Sequence, residues 1–365
     1  MSERQPYALV IGGSDDGQLM AVVDALRERA VPVVFLDHCA SQDVAFDVRA
    51  DGHFEVRIGA ETLDMPAAVW TRIKINAVVS VWTPETVDEF IRRSEWRGFL
   101  STISSALNDR SVYTLSAVAE ASSRARQLQT AARCGFAIPE SSWFVGKRQA
   151  ERFAAQHDRI VSKPIAVRNV PKLEGEIDVY RVLFTMGLEA SEVEGVAPQE
   201  FEAAPTLFQS RIAKGVEHRV IAFRDRAFSY AIRGRIEDKI RPDERVLYGS
   251  SSDGRTIYGA QYSHVETTPF VAAATSRFLT EMNLEYGAFD VIDEGDGCWS
   301  FIECNPEGQW YAASLFNMDE VAGHFAGVIA SRLGSVTEGH HPIRTGEAST
   351  EVQVDLELSD APPPF

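Results

Sequence analysis

The sequence contains no apolar run of the ~18 residues that a membrane-spanning helix requires. Its polar first residues, 1–6, lack the apolar centre of a secretion signal. There are only four cysteines and no Cys-x-x-Cys pair, which argues against a disulfide framework or a zinc site. Basic side chains are also scarce, since 36 lysines and arginines stand against 53 acids and leave a net charge of −17. We therefore expect a cytoplasmic protein that binds neither membranes nor nucleic acid.

The first 105 residues alternate between strand and helix signals. Apolar runs at 7–11 and 31–36 flank a helical pattern at 19–26, for which Asp15 or Asp16 is the N-cap. A strand–helix–strand unit of this kind implies a parallel pair with a crossover helix. With a further strand at 67–70 and a helix at 83–99, residues 1–105 are predicted to form a small parallel α/β domain.

The rest of the chain has the pattern of an α+β fold. Residues 111–136 are helical in character, and further helices are predicted at 148–156, 268–282 and 319–333. Short strands separate these helices, and several pair as hairpins. Their predicted ranges are 142–145, 159–162, 180–185, 206–212, 219–223, 228–233, 287–292 and 300–303. The acidic segment 335–365 is predicted to be a disordered tail.

The last hairpin carries the most informative side chains. Asp290 lies on its first strand, and Glu303 and Asn305 lie two residues apart on the second, so both should point to one face. Two carboxylates and an amide oxygen are hard ligands that suit Mg²⁺ shared with a phosphate substrate. The alternative is a hairpin with acids exposed at its end, and the spacing alone leaves both interpretations open.

Residues 289–310 resemble the metal-binding end of ATP-grasp ligases. The ending Asn305-Pro-Glu-Gly-Gln-Trp310 is most similar to the subgroup that crosslinks ribosomal peptides, the microviridin-type or graspetide ligases. Other segments resemble this family in the family's order, from about residue 5 to 334. They are Val69-Trp70-Thr71-Arg72, Arg126-Gln127-Leu128, Ile138-Pro139, Val161-Ser162-Lys163-Pro164, Leu207-Phe208-Gln209 and Glu217-His218-Arg219.

The resemblance implies a role for each matched residue. Asp290, Glu303 and Asn305 would hold Mg²⁺ ions on the phosphates of ATP, which Lys163 and Arg219 would also contact. Gln209 would line the adenine pocket, and Glu217 would lie near the ribose or the metal. Without the resemblance, Lys163 and Gln209 would be interpreted as exposed strand residues. Glu217 and Arg219 would be interpreted as a surface ion pair, which contributes little to stability.

The sequence departs from the family at two positions that matter for the site. Arg124 stands where members usually carry a lysine. It would bind phosphate through the forked N–H groups of its guanidinium rather than through the compact charge of a lysine ammonium. Lys239-Ile240-Arg241 stands where the peptide-crosslinking subgroup has Asp-x-Arg, an element whose acid is implicated in peptide recognition. Arg241 could still stabilise an acyl phosphate. The departure leaves the identity of a peptide substrate open.

The resemblance implies an ATP-grasp fold with a central lobe at 106–205 and a metal-bearing lobe at 206–334. The expected function is an ATP- and Mg²⁺-dependent ligase that forms side-chain esters or amides in a precursor peptide. Alternatives are a ligase for free amino acids or a small carboxylate, and a nucleotide-binding protein without catalysis. A homodimer is also expected. A local basic groove would offset the acidic net charge, and its candidates are Arg72, Lys74, Arg168, Lys172, Lys239 and Arg241.

Overall fold

A computed structural model describes most of the chain. Its described residues are 5–37, 43–52, 54–59, 61–63, 65–72, 87–163, 165, 169–170, 181–182, 186–212, 215–233, 256–257 and 260–335. These fall into two compact units, with the described parts of 1–74, 96–115 and 317–365 in the first and those of 75–95 and 116–316 in the second. Among the described residues, no helix is long and apolar enough to cross a membrane.

The first unit contains the expected parallel sheet. Strand β1 (Ala8–Gly12) lies between β2 (Val33–Asp37) and β6 (Ala68–Arg72), parallel to both. Helix α1 (Gly17–Glu28) crosses over from β1 to β2, and its N-cap is Asp16, whose carboxylate accepts a hydrogen bond from the Gln18 N–H at 3.1 Å. This confirms the predicted strand–helix–strand unit with its parallel pair of strands.

Arg72, at the end of β6, is buried rather than part of a surface groove. Its Nε donates to Asp16 Oδ2 at 2.8 Å and its Nη2 to Gln18 Oε1 at 2.6 Å. The Arg72 side chain is 1% exposed, and its ion pair with Asp16 offsets part of the cost of burying its charge. The idea that Arg72 contributes to a basic groove is therefore wrong.

The first unit also holds a sheet whose strands are not among those predicted above. Strands β3 (Val44–Val48), β4 (Phe54–Ile58) and β5 (Glu61–Leu63) pair antiparallel in this order. Helix α2 (Val87–Ala106) supplies Phe99, which packs edge-on against Phe46 of β3 at 5.7 Å.

The second unit begins with a helical region that is split in two. Helix α3 (Leu115–Ala121) ends before Ser122, and α4 (Arg124–Arg133) begins with Ser123 as its N-cap. A sheet of order β11-β8-β12-β7 follows, built from β7 (Ser141–Phe144), β8 (Arg159–Lys163), β11 (Met186–Glu189) and β12 (Thr206–Ser210). Three helices accompany it, α5 (Lys147–Ala154), α6 (Ala190–Gly195) and α7 (Pro198–Glu202). The short strands β9 (Asn169–Val170) and β10 (Arg181–Val182) pair with each other.

The larger sheet of the second unit has the order β15-β16-β14-β13-β17-β18 and is antiparallel throughout. Its strands are β13 (Val216–Phe223), β14 (Ala227–Arg233), β15 (Thr256–Ile257), β16 (Ala260–Val265), β17 (Tyr286–Gly295) and β18 (Cys298–Asn305). Helix α8 (Pro269–Glu281) packs on one face, where Phe278 meets Phe289 at 5.1 Å and Phe301 at 5.4 Å.

The chain closes with two more helices. Helix α9 (Tyr311–Ser314) ends the second unit, and α10 (Met318–Ser335) belongs to the first, where Phe325 packs edge-on against Trp70 at 4.9 Å. Residues 336–365, most of the predicted acidic tail, lie outside the described residues.

Candidate active site

Lys163 and Gln209 lie on one face of the smaller sheet. Gln209 is paired with Val161, and Lys163 with Leu207, so these residues share a face. The opposite face is apolar, because Phe208 packs with Phe144, Phe153 and Phe201 in a buried cluster under α5. Alternation along β8 and β12 therefore directs the two polar side chains away from this core, as the family resemblance requires.

Asp290 and Glu303 lie on adjacent strands of the larger sheet, next to an arginine. Arg219 of β13 is directly opposite Asp290 of β17, which is directly opposite Glu303 of β18. The Arg219 Nη1 donates to Asp290 Oδ1 at 2.9 Å. All three side chains point away from the face that α8 covers, so the sheet presents a row of charges on its open face.

A β-bulge brings Glu303 into this row. Val291 pairs with Phe301 and Asp290 with Glu303, so one residue of β17 spans two residues of β18, with Ile302 as the extra one. Phe301 points into the core against α8. In a regular strand Glu303 would share that apolar face with Phe301, and the bulge turns it to the side of Asp290.

Helix α4 contributes the arginine that replaces the family lysine. Arg124 lies in its first turn, and its Nη1 is 3.0 Å from Glu303 Oε2. Both side chains are largely buried, with 16% and 23% exposed. The site thus has a row in which two neighbouring carboxylates, those of Glu303 and Asp290, lie between two arginines, Arg124 and Arg219.

Burial raises the pKa of the Asp290 carboxyl to about 6. Arg219 lowers this pKa, Glu303 and Glu217 raise it, and Lys163 of the smaller sheet lowers it again. Lys163 and Glu217 are therefore close enough to act electrostatically on Asp290. Two carboxylates directly opposite each other repel, and this repulsion favours a cation between them.

The donor set fits Mg²⁺, since Asp290, Glu303 and Asn305 offer only oxygen ligands. Asn305 is exposed and adjoins the row, because it pairs with Ala288, two residues before Asp290. Within the described ranges, no three His, Cys, Asp or Glu side chains gather closely enough to hold a metal. Glu217 thus does not complete a carboxylate triad among the described residues, and the predicted third oxygen donor stays the amide of Asn305.

Gln209 has an unused acceptor suited to an adenine. The side chain is 3% exposed, and its Nε2 donates to Ser141 Oγ at 2.8 Å. Its buried Oε1 has no hydrogen-bond partner among the described residues. A buried acceptor without a donor is costly, and the exocyclic amine of adenine is a donor of the right kind.

The turn after β18 fixes the end of the site. The Asn305 carbonyl accepts from the Gly308 N–H at 3.1 Å, and Asn305 Oδ1 accepts from the Glu307 N–H at 3.1 Å. A Cβ on Gly308 would lie 2.3 Å from the Cβ of Ala288, so only glycine fits there. Trp310 then inserts fully into the core, 5.8 Å from the ring of Tyr286.

Two residues near this site received no role in the sequence analysis. Tyr262 of β16 lies on the site face, where burial raises the pKa of its hydroxyl and Arg219 lowers it. Gln127 of α4 is hydrogen bonded to the backbone of Cys304. Tyr262 lies in a segment with no predicted element, and Gln127 lies in the matched segment Arg126-Gln127-Leu128, for which the resemblance implies no role.

Several predicted residues lie outside the described residues. They are Arg241, which was expected to stabilise an acyl phosphate, and the groove candidates Lys74, Arg168, Lys172 and Lys239. Their roles remain predictions.

Comparisons with solved structures find many matches, although no protein-family model and no curated protein sequence matches the chain. A Chryseobacterium gregarium RiPP-associated ATP-grasp ligase, in complex with ADP and a leader and core peptide, has a TM-score of 0.72 at 18% identity. The match covers 90% of this chain and 97% of that one. The macrocyclase MdnC of Microcystis aeruginosa, bound with the precursor peptide MdnA, has a TM-score of 0.69 at 17% identity, covering 89% and 99%.

The ATP-grasp ligase PsnB, complexed with a minimal precursor, Mg and ADP, has a TM-score of 0.66 at 18% identity. That match covers 91% of this chain and 99% of PsnB. The similarity thus extends over nearly the whole of each structure while the sequences have diverged widely. The fold expected from the motifs is confirmed, and this chain has the fold of the ATP-grasp ligases.

Proposed function

We propose that this chain is an ATP-dependent ligase that activates a carboxylate as an acyl phosphate and joins it to a hydroxyl or an amine. The observation that carries the proposal is the charge row on the larger sheet, in which Arg219, Asp290 and Glu303 lie side by side. Lys163 approaches this row from a second sheet whose buried Gln209 has a free acceptor. A nucleotide with its metal suits both features.

The reaction needs charge neutralisation more than a protein nucleophile. A carboxylate oxygen of the substrate attacks the γ-phosphorus of ATP, the bond to the bridging oxygen breaks, and ADP leaves. The hydroxyl or amine then attacks the acyl carbon, loses a proton and displaces phosphate. Lys163, Arg124 and Arg219 would stabilise the negative charge that shifts between the phosphoryl oxygens.

Magnesium would be held by Asp290, Glu303 and Asn305, and would polarise the phosphoryl oxygens. The raised pKa of Asp290 supports this assignment, since a bound cation replaces the proton that burial otherwise favours. Arg219 keeps the Asp290 carboxylate oriented through the 2.9 Å hydrogen bond, and Arg124 does the same for Glu303 at 3.0 Å.

The substrate that the likeness favours is a precursor peptide. The Chryseobacterium, MdnC and PsnB structures each contain a leader, core or precursor peptide, and each matches this chain over about nine-tenths of its length. The ending Asn305 to Trp310 is also that of the peptide-crosslinking subgroup. Side-chain ester or amide crosslinks are therefore the proposed product, in a cytoplasmic protein that we further propose to be a homodimer.

The experiment incubates the purified protein with Mg·ATP and short peptides encoded beside its gene. Mass spectrometry should find the loss of one water for each bond formed, together with ADP. A pool of free amino acids is assayed in parallel for ADP release. If the peptides are inert and ADP release depends on free amino acids, the protein is a small-molecule ligase. If no acceptor supports turnover, a non-catalytic nucleotide-binding protein is favoured.

Paired variants separate the site from the fold. Asp290→Asn should abolish turnover, because it removes a charge from the proposed metal set. Asp293→Asn, three residues along the same strand, should retain it, because Asp293 lies outside the charge row, opposite Val216, and its carboxylate accepts a turn hydrogen bond from the Gly295 N–H at 2.9 Å. Equal turnover in the two variants would contradict the assignment of the metal site.

A further inference from the structure

The side chain of Gln127 is tied to the backbone of β18. Its Oε1 accepts a hydrogen bond from the Cys304 N–H at 2.9 Å, and its Nε2 donates to the Cys304 carbonyl at 2.6 Å. The same Nε2 donates to the carbonyl of Ala121 at 2.6 Å. Gln127 is only 5% exposed, so this amide is fully engaged away from solvent.

Cys304 needs such a partner because β18 lies at the edge of its sheet within the described residues. An edge strand presents N–H and C=O groups that no neighbouring strand satisfies. Before the bulge, Ala137 meets this need, since it accepts from the Phe301 N–H at 2.8 Å and donates to the Trp299 carbonyl at 2.9 Å. The bulge at Ile302 changes which residues direct their backbone N–H and C=O groups toward the open edge of the sheet. After the bulge, these groups belong to Cys304.

Ala137 and Gln127 therefore form hydrogen bonds with the outer edge of β18 on either side of the bulge. Ala137 holds β18 on the side of Phe301, and Gln127 holds it on the side of Asn305. Glu303 lies between these two attachments, directly before Cys304. Without Gln127, a regular strand would be free to replace the bulge, and in a regular strand Glu303 would share the face of Phe301.

We propose that Gln127 is a positioning residue, which fixes the bulged end of β18 so that Glu303 and Asn305 face Asp290. It contacts neither nucleotide nor metal in this arrangement, and acts through the Cys304 backbone. Arg124, three residues earlier on the same helix face, contacts the Glu303 carboxylate. Helix α4 thus contacts both the Cys304 backbone and the Glu303 side chain. The consequence for Mg²⁺ rests on the proposed function, whereas the effect on the backbone does not.

Two variants and one control test the proposal. Gln127→Met keeps the length of the side chain and removes every hydrogen bond. Gln127→Glu keeps an acceptor for the Cys304 N–H and removes both donors. The control is Thr130→Val, also buried and one turn further along α4, whose hydroxyl contacts Met282 Sδ at 3.6 Å rather than β18.

The first measurement is residue-resolved hydrogen–deuterium exchange of the full chain. In Gln127→Met the Cys304 amide should exchange about tenfold faster, because it loses its acceptor. The Phe301 amide, bonded to Ala137, should be unchanged, and Thr130→Val should alter neither. An unchanged rate at Cys304 overturns the proposal. Should Gln127→Met fail to fold, Gln127→Glu is measured in its place, with a smaller acceleration expected.

The second measurement is the affinity for ADP by calorimetry, with and without Mg²⁺. Gln127→Met should bind Mg·ADP about tenfold more weakly than the wild type, while ADP without metal binds as before. A loss that is the same with and without Mg²⁺ overturns the positioning role. If the wild type binds no Mg·ADP, the proposed function fails, and the exchange rates alone then decide whether Gln127 holds β18.

Discussion

Replacing Asp290 by asparagine should stabilise the ligand-free protein while abolishing its Mg²⁺-dependent binding of nucleotide. The Asp290 carboxyl is partly buried, with 18% of the side chain exposed, and burial outweighs the attraction of Arg219. Its pKa is accordingly raised from 3.8 to about 6. At neutral pH the folded protein therefore holds an ionised group in an environment that favours the protonated form.

The magnitude follows from the size of this pKa difference. The rise of the Asp290 pKa from 3.8 to about 6 corresponds to ~3 kcal/mol of lost stability at neutral pH. We expect asparagine to recover ~1–2 kcal/mol, because it keeps an acceptor for Arg219 at 2.9 Å but loses the ionic part of that bond. For a unit of this size the midpoint of thermal unfolding should rise by ~2–6 °C.

The dependence on pH gives the sharpest assay. Because the folded pKa of Asp290 lies above its unfolded value, the stability of the wild type falls as the pH rises from about 4 to 6. Differential scanning calorimetry should thus find a gap between Asp290→Asn and the wild type near pH 7.5 that closes near pH 5. The control Asp293→Asn should have no such gap. An Asp290→Asn variant that is less stable than the wild type at neutral pH, or a gap independent of pH, would refute the reasoning.

Three further predictions concern single side chains. Lys163→Met should weaken ATP binding by about tenfold in calorimetry, because it removes a cation that acts on the Asp290 site; an unchanged affinity would remove Lys163 from the phosphate site. Gly308→Ala should lower the midpoint of thermal unfolding by several degrees, since the new methyl group would meet the Cβ of Ala288 at 2.3 Å, and an unchanged midpoint would mean that the turn relaxes. A thiol reagent should label exposed Cys298 and spare buried Cys304, because burial raises the pKa of the Cys304 thiol well above its usual range; peptide mapping that finds both labelled would contradict the described packing.

Much of the candidate site could be predicted from the sequence because its signals are local. Asp290, Glu303 and Asn305 lie on the two strands of one hairpin, so that a pattern within a short segment already brings them near one another. The parallel pair of β1 and β2 followed in the same way from a strand, a crossover helix and a second strand. The short strands between residues 44 and 63 were not predicted, although Phe54–Ile58 alternates between apolar and charged residues as a half-buried strand does. Strands this short do not by themselves indicate which sheet they join.

The order and type of side chains within short segments were thus enough to predict which residues should carry the chemistry. The face of the sheet on which each of these side chains lies depends on the tertiary structure. Phe301 and Glu303 are two positions apart and yet lie on opposite faces, because a bulge at Ile302 interrupts the alternation. The Gln127 that meets the edge of that strand lies 177 positions from Cys304. Such a contact exists only after folding has brought α4 to β18, and no local pattern encodes it.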